Sequence, residues 1–259
     1  MEKRRLWSRN ELIVVFNLYL KLPFGKMHSR TLEVIHLARL LGRTPNSIAM
    51  RLSNFAACDP YHQQRGIKGM VGGLNQCQPI WDEFSNSREI LIFESERILA
   101  SIENHTIENK FDDLLLDITD LKGEDKIREV KTRVNQNVFR QIVLGNYSGT
   151  CAITNIDIPE LLFASHIIPW ARNEAERLNP ENGICFSALY DKAFDSGLIA
   201  VNERYEILIS SFLKGKRGSN YYERYFSHLT GRKLNLPQKY LPRREFLQYH
   251  IDEVFEKIK

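Results

Sequence analysis

One histidine, one asparagine and two aspartates follow one another in an order that can build a reactive site. His166 closes the apolar run FASHIIPW, which reads as a strand. A long loop leads to Asn182 and Gly183, then to a short strand over 184–186 and a helix from about Ser187 to Ser196 carrying Asp191 and Asp195. A lone histidine is more often structural or simply exposed. Strand, loop, strand and helix, however, make a compact unit that brings His166 opposite the first turns of that helix. An unperturbed histidine titrates at about 6.5, in the range where protons are exchanged at neutral pH. Aspartates four residues apart share a helix face.

The elements around this set are legible from capping and periodicity. Gly197 is placed to end the helix, LIAV resumes extended structure, and RYEILIS alternates like a strand. Upstream, VFRQIVLGNY reads as a helix and passes through a Gly turn into CAIT. At the other end of the chain, WSRNELIVVFNLYL is predicted to be a helix with Ser8 as N-cap and Glu11 completing a capping box. A second helix is expected over about 30–41, and a third after Thr44 as N-cap and Pro45 as first helical residue. Residues 56–80, rich in Gly and Gln, read as a long ordered loop, and 79–104 as helix. The polar stretch 105–130 is the best linker candidate. The expected class is therefore α+β: a helical helix-turn-helix-like module over 1–104, a linker over 105–130, and a second domain over 131–259 with a basic C-terminal extension.

The 259 residues, 43% hydrophobic and 26% charged, suffice for a real core and exclude a disordered or collagen-like chain. No run reaches the ~20 apolar residues of a membrane span, and the basic N-terminus has no apolar stretch behind it, so a cytoplasmic protein without membrane partners is expected. Four scattered cysteines with no Cys-x-x-Cys pair argue against a disulfide framework or structural zinc. Cys151 and Cys185 read as buried small hydrophobes. Net charge is only +4, but residues 1–54 carry 10 Lys/Arg against 3 Asp/Glu and residues 201–259 carry 12 against 7. Basic ends flanking acidic segments suit a nucleic-acid partner.

Two resemblances sharpen this. LARLLGRTPNSIAMRLSNF resembles the second and third helices of Myb-like or resolvase-like DNA-binding modules, which makes Lys26, Arg30, Arg43 and Arg51 candidates for phosphate contact. Arg65 and Lys68 in the following loop, and Lys214, Lys216 and Arg217 in the tail, extend the same candidate surface. SHIIPW followed by NGICFSALYDKAFDSGLIAV resembles the HNH nucleases, in a branch that also carries the helix and Cys-x-x-Thr turn upstream. That resemblance implies a ββα-metal unit performing metal-assisted phosphodiester hydrolysis with Mg²⁺ or Mn²⁺. It implies His166 as general base, Asn182 holding the loop and orienting the histidine, and Asp191 as metal ligand.

Two positions depart from the family pattern. Ser165 stands where many HNH enzymes have a second metal-binding aspartate, so Asp195 is the candidate to supply the missing oxygen. Tyr190 stands where the final histidine is often found, and is a candidate to position water or phosphate. The expected function is a restriction-like, metal-dependent endonuclease acting on duplex DNA, with a homodimer needed to cut both strands. A DNA-binding protein with a decayed nuclease site and an RNA-cleaving nuclease are the alternatives.

Overall fold

Ser8 starts the first helix through local chemistry. Its side chain accepts from the Glu11 amide while the Glu11 carboxylate accepts from the Ser8 amide, closing the expected capping box. The computed structural model describes residues 5–115 and 123–257. They form an α+β chain that divides into two units, residues 1–138 and 139–259.

The first unit is helical: α1 (Arg9–Lys21), α2 (Leu32–Leu40), α3 (Pro45–Cys58), α4 (Pro60–Gln64), α5 (Val71–Phe84), α6 (Arg88–Ile102), α7 (Ile107–Lys110) and the start of α8 (Gly123–Asn146). Helix α1 is apolar around most of its circumference and is buried accordingly. Its Phe16 stacks on Phe55 of α3 at 4.8 Å and on Trp81 of α5 at 5.0 Å. Between α2 and α3 the chain turns at Gly42, whose φ of +59° permits the two backbone hydrogen bonds Arg43 N to Ala38 O and Gly42 N to Arg39 O. Thr44 then caps α3, with Pro45 in its first turn.

Three sequence expectations need correction here. The long loop of 56–80 is mostly helix: α4, then α5, which runs through Pro79. Gly73, Cys77, Ile80 and Phe84 fall at helical spacing and are buried. A Cβ on Gly73 would lie 2.1 Å from the Asn54 amide nitrogen, so glycine is what lets α5 approach α3 closely. Packing thus overrides poor intrinsic propensity. The helix predicted over 79–104 is two helices, broken at Ser85–Ser87. Finally, the linker of 105–130 is in large part folded. Thr106 caps α7, and Ile107 and Leu115 are buried with Val130 and Val134 of α8. Residues 116–122 of that expected linker lie outside the described residues. The division between units falls inside α8, between Val138 and Phe139.

The second unit is built from β1 (Leu162–His166), β2 (Gly183–Ser187), α9 (Ala188–Asp195), β3 (Ile199–Val201), β4 (Ile207–Ile209), α10 (Ser211–Lys214), α11 (Asn220–Tyr225) and α12 (Arg244–Glu253), behind the C-terminal part of α8. Strands β1 and β2 pair antiparallel with His166 opposite Gly183, and β3 pairs with β4. A Cβ on Gly183 would fall 2.4 Å from Val143 and 2.9 Å from Phe139, both on α8. The glycine after Asn182 therefore lets α8 pass directly over the strand pair. Cys151 and Cys185 are buried free thiols, as expected, and the Cys151 sulfur accepts from the amides of Ile153, Thr154 and Ser187. In the segment after β4, Tyr222 and Phe226 are buried, whereas Tyr221 and Tyr225 are exposed. Among the described residues, no helix is long and apolar enough to cross a membrane.

Candidate active site

Strand β1 delivers Ser165 and His166 side by side, and β2 runs straight into α9, so Asp191 and Asp195 stand beside the strand end. Together with Trp170 and His250 they line a cleft of about 360 Å³.

His166 is held on three sides. Its ring stacks on Phe139 at 3.8 Å and meets the edge of Trp170 at 5.5 Å, and its Nε2 lies 2.9 Å from the Arg177 carbonyl oxygen. A carbonyl only accepts, so Nε2 carries the proton and Nδ1 keeps the lone pair. Burial lowers the imidazole pKa to about 4, against a smaller opposing effect of the Arg177 carbonyl. At neutral pH the ring is uncharged and able to take a proton at one defined atom. Asn182 fixes the intervening loop. Its Oδ1 accepts from the Ile168 amide at 2.8 Å, and its Nδ2 donates to the carbonyls of Ile168 and Glu176, each at 3.1 Å. It is a positioning residue.

On the opposite wall, the Ser165 hydroxyl donates to Asp191 Oδ1 at 2.5 Å. Burial pushes the Asp191 carboxyl up, offset in part by this bond and by the Lys192 charge. Asp195, one turn further at the rim, is raised to about 6 by desolvation and by the Asp191 charge beside it. A carboxyl whose ionisation is opposed by burial and by a neighbouring carboxylate gains from a nearby cation. Among the described residues, no group of three His, Cys, Asp or Glu side chains is gathered as a metal cage. A carboxylate pair completed by water nevertheless fits Mg²⁺, which keeps several waters and takes one or two protein carboxylates. Ser165 acts here as the residue that orients Asp191.

Tyr190 is the clearest correction. Its ring is 4% exposed, packs edge-on against Phe226, and sends its hydroxyl to the Tyr225 carbonyl at 2.9 Å. It does not line the cleft, and burial raises its phenol pKa, which opposes a phenolate. One residue before Asp191 on a helix is about 100° away around the axis, so Tyr190 faces the interior.

The nine candidate DNA-contacting cations separate into two groups. Lys26, Arg30, Arg65, Lys68, Lys214, Lys216 and Arg217 are exposed. Arg65 lies over the rings of Tyr61 and Phe24, at 5.3 and 5.9 Å, so the end of α4 rests beside the turn that carries Lys26. Arg43 and Arg51 are not available to phosphate. The Arg43 side chain is 8% exposed, pairs with Glu11 at 2.9 Å, donates to the Leu6 carbonyl and lies over Trp7. Arg51 donates to the Gly73 carbonyl at 3.1 Å and to Gln76 at 2.6 Å. Both hold the helical unit together.

His250 has no counterpart in the sequence reading. It lies 84 positions after His166, on a stripe (Phe246, Leu247, His250) that reads as ordinary helix core, and only the tertiary fold brings it to the cleft.

Compared with known families, residues 151–202 match the model described as HNH endonuclease. That stretch contains β1, the loop, β2, α9 and β3, whereas α8 and α12 lie outside it. The comparison with curated proteins returned no match.

Proposed function

We propose, from the HNH endonuclease match over residues 151–202, that this protein is a metal-dependent, restriction-like endonuclease that hydrolyses phosphodiester bonds of duplex DNA. The observation that carries the reading is His166, with Nε2 bound to a backbone carbonyl, its ring neutral, and the Asp191–Asp195 pair lining the same cleft. His166 Nδ1 takes a proton from the attacking water as general base. The Arg177 carbonyl and the Phe139 face keep the ring from turning, Asn182 holds the loop after β1, and Ser165 keeps Asp191 in place. Asp191 and Asp195 would hold Mg²⁺ or Mn²⁺, which when bound offsets the charge of the scissile phosphate and of the departing oxygen. In this reading the helix-turn-helix-like α2–α3 pair grips the duplex, Lys26, Arg30, Arg65 and Lys68 meet its phosphates, and the exposed cations Lys214, Lys216 and Arg217 of the second unit make phosphate contacts of their own. One cleft cuts one strand, so a homodimer cuts both.

A second reading, a DNA-binding protein with a decayed site, draws on Ser165 in place of a carboxylate and on Tyr190 turned inward. Plasmid cleavage separates the two. With Mg²⁺ or Mn²⁺, on methylated and unmethylated DNA, the first reading expects nicking or linearisation that EDTA and His166→Ala abolish. Binding without cutting under all these conditions supports the second. Cleavage of structured RNA in preference to duplex DNA would redirect the substrate assignment.

A further inference from the structure

A pocket of about 450 Å³ lies wholly within the helical unit, where the N-termini of α3 and α5 meet the segment before α1. Among the described residues, no carboxylate lines it. Arg51, 8% exposed, stands in its wall. The guanidinium rests over Trp7 at 4.9 Å and donates to the Gly73 carbonyl and to Gln76 Oε1, both neutral. A buried arginine is ordinarily paired with a carboxylate, and this one forms no ion pair among the described residues.

The other polar groups of the pocket are donors left over from the fold. Asn54 is 4% exposed. Its Oδ1 accepts from Met70 N at 3.0 Å, so the amide cannot flip. Its Nδ2 sits beside Gly73, has no hydrogen-bond partner among the described residues, and is not sealed in the interior. Gln76 turns its oxygen to Arg51 at 2.6 Å, which leaves Nε2 as a donor without a protein partner. Helix α5 has Met70 at its N-cap and no side-chain cap, so the amides of Val71 and Gly72 have no protein acceptor. A Cβ on Gly72 would meet nothing within 4 Å, so this helix end is open.

An unbalanced positive charge, unpartnered donors and a helix N-terminus are together what an oxyanion requires. A lone oxyanion fills only a fraction of this volume. The rest of the wall is apolar, with Leu6, Met50 and Met70 well exposed. A ligand with a phosphate at one end and a flat ring system at the other matches both halves.

We propose that this pocket binds one nucleotide, either free or as a unit of a DNA strand. Asn54 Nδ2, Gln76 Nε2 and the first amides of α5 receive its phosphate, and its base lies on the Leu6, Met50 and Met70 wall. Arg51 is a positioning residue here, since it turns Gln76 and supplies charge without touching the phosphate. The proposal stands apart from the nuclease reading, because none of these groups lines the cleft around His166.

Two substitutions oppose the ligand without opposing the fold. Gln76→Glu gives Arg51 the carboxylate it lacks and replaces the free donor by an anionic oxygen. Gly72→Asp puts a carboxylate in open space in the first turn of α5, where an acidic residue suits the helix. Both should keep or raise the melting temperature. Calorimetry on the full-length protein in EDTA then compares the common deoxy- and ribonucleoside 5′-monophosphates, their nucleosides, inorganic phosphate and a 5′-phosphorylated single-stranded oligonucleotide. The expected result is saturable binding of a monophosphate or of the oligonucleotide, weakened at least about tenfold by either variant. Tighter binding of the oligonucleotide assigns the pocket to a strand, and tighter binding of a monophosphate assigns it to a free nucleotide. No binding of either, or binding that both variants leave unchanged, overturns the proposal. Inorganic phosphate or a nucleoside binding as tightly as the best monophosphate overturns the nucleotide assignment. Should the variants melt early, ¹⁵N resonances of the wild-type protein decide instead. The Gly72 amide and the Asn54 side-chain amide should move on addition of the best ligand, and signals that stay put overturn the proposal.

Discussion

The two units hold their buried titratable groups differently. The helical unit buries the carboxylates of Glu11 and Glu96 in ion pairs, beside a buried Arg51 on neutral partners and a buried His62. Glu11 is shared by Arg43 and Arg5, and Glu96 is held by Lys21, Lys110 and the Asn17 amide. The β-containing unit buries titratable rings uncharged, each against a phenylalanine face and each with one nitrogen on a backbone carbonyl. A buried ion pair fixes geometry by mutual attraction and leaves neither partner available for chemistry. A buried neutral imidazole keeps one nitrogen available. The difference explains why Arg43, which reads as a DNA contact in the sequence, is structural, while His250, which reads as core, reaches the cleft.

The sharpest way to break the contrast is to remove the proposed general base, His166. His166→Ala should lower cleavage by ~10²- to 10⁴-fold, the usual value of a general base, while duplex binding measured by anisotropy in EDTA stays near wild type. Loss of binding in step with cleavage would instead make His166 part of the DNA-holding framework.

Removing one member of a buried ion pair should act through stability. Glu11→Ala leaves Arg43 buried without its carboxylate, a change that costs about 3–5 kcal/mol in comparable sites. The helical unit should melt earlier in denaturant, as seen by Trp7 and Trp81, with Trp170 reporting little change at the cleft. An unchanged midpoint would mean that the Leu6 carbonyl and the Trp7 face suffice for Arg43.

Acid should weaken the unit that carries the cleft. His166 and His250 stay neutral when folded down to about pH 4, whereas in the unfolded chain they take up a proton near about 6.5. The unfolded state therefore binds more protons as pH falls from about 6.5 to about 4, and each ring withdraws up to about 3 kcal/mol of stability over that window. Glu11 and Glu96 have folded pKa values below their ordinary 4.5, held there by Arg43 and by Lys21 against the opposing effect of burial. Their stabilisation is present above about pH 4.5 and is lost only below it. A variant with Trp170 as its only tryptophan, scanned from pH 7 to 4, should thus show the cleft-bearing unit losing stability across that window; a midpoint independent of pH there would refute the burial of neutral rings.

The smallest effects are expected from the exposed cations. Lys26→Ala and Arg65→Ala should each weaken duplex binding a few-fold and reduce the salt slope by about one. Arg43→Ala should lower the melting temperature first, with any loss of binding following the loss of folded protein. A phosphate-like salt effect from Arg43 at full stability would return it to the DNA-contacting set.

Much of the fold was legible because its signals are local. The Ser8 capping box, the Thr44–Pro45 start of α3, the β1–loop–β2–α9 order and the stop at Gly197 each depend on residues a few positions apart. The α5 helix was missed because its glycines and Pro79 argue against helix locally, while the contact that requires Gly73 comes from Asn54, nineteen residues away. Tyr190 was misplaced because its role depended on which side of α9 faced β1, a choice made by burial against Phe226 and Tyr225.

Short-range chemistry in the sequence therefore determined where helices and strands begin and end, and set His166, Asn182, Asp191 and Asp195 in an order that one compact unit can gather. Tertiary structure alone decided which cations stay exposed, which nitrogen of His166 is committed, and that His250 joins the cleft. Those outcomes turn on burial and on partners far away along the chain, and a side chain's protonation and availability follow from its surroundings, not from its neighbours in sequence.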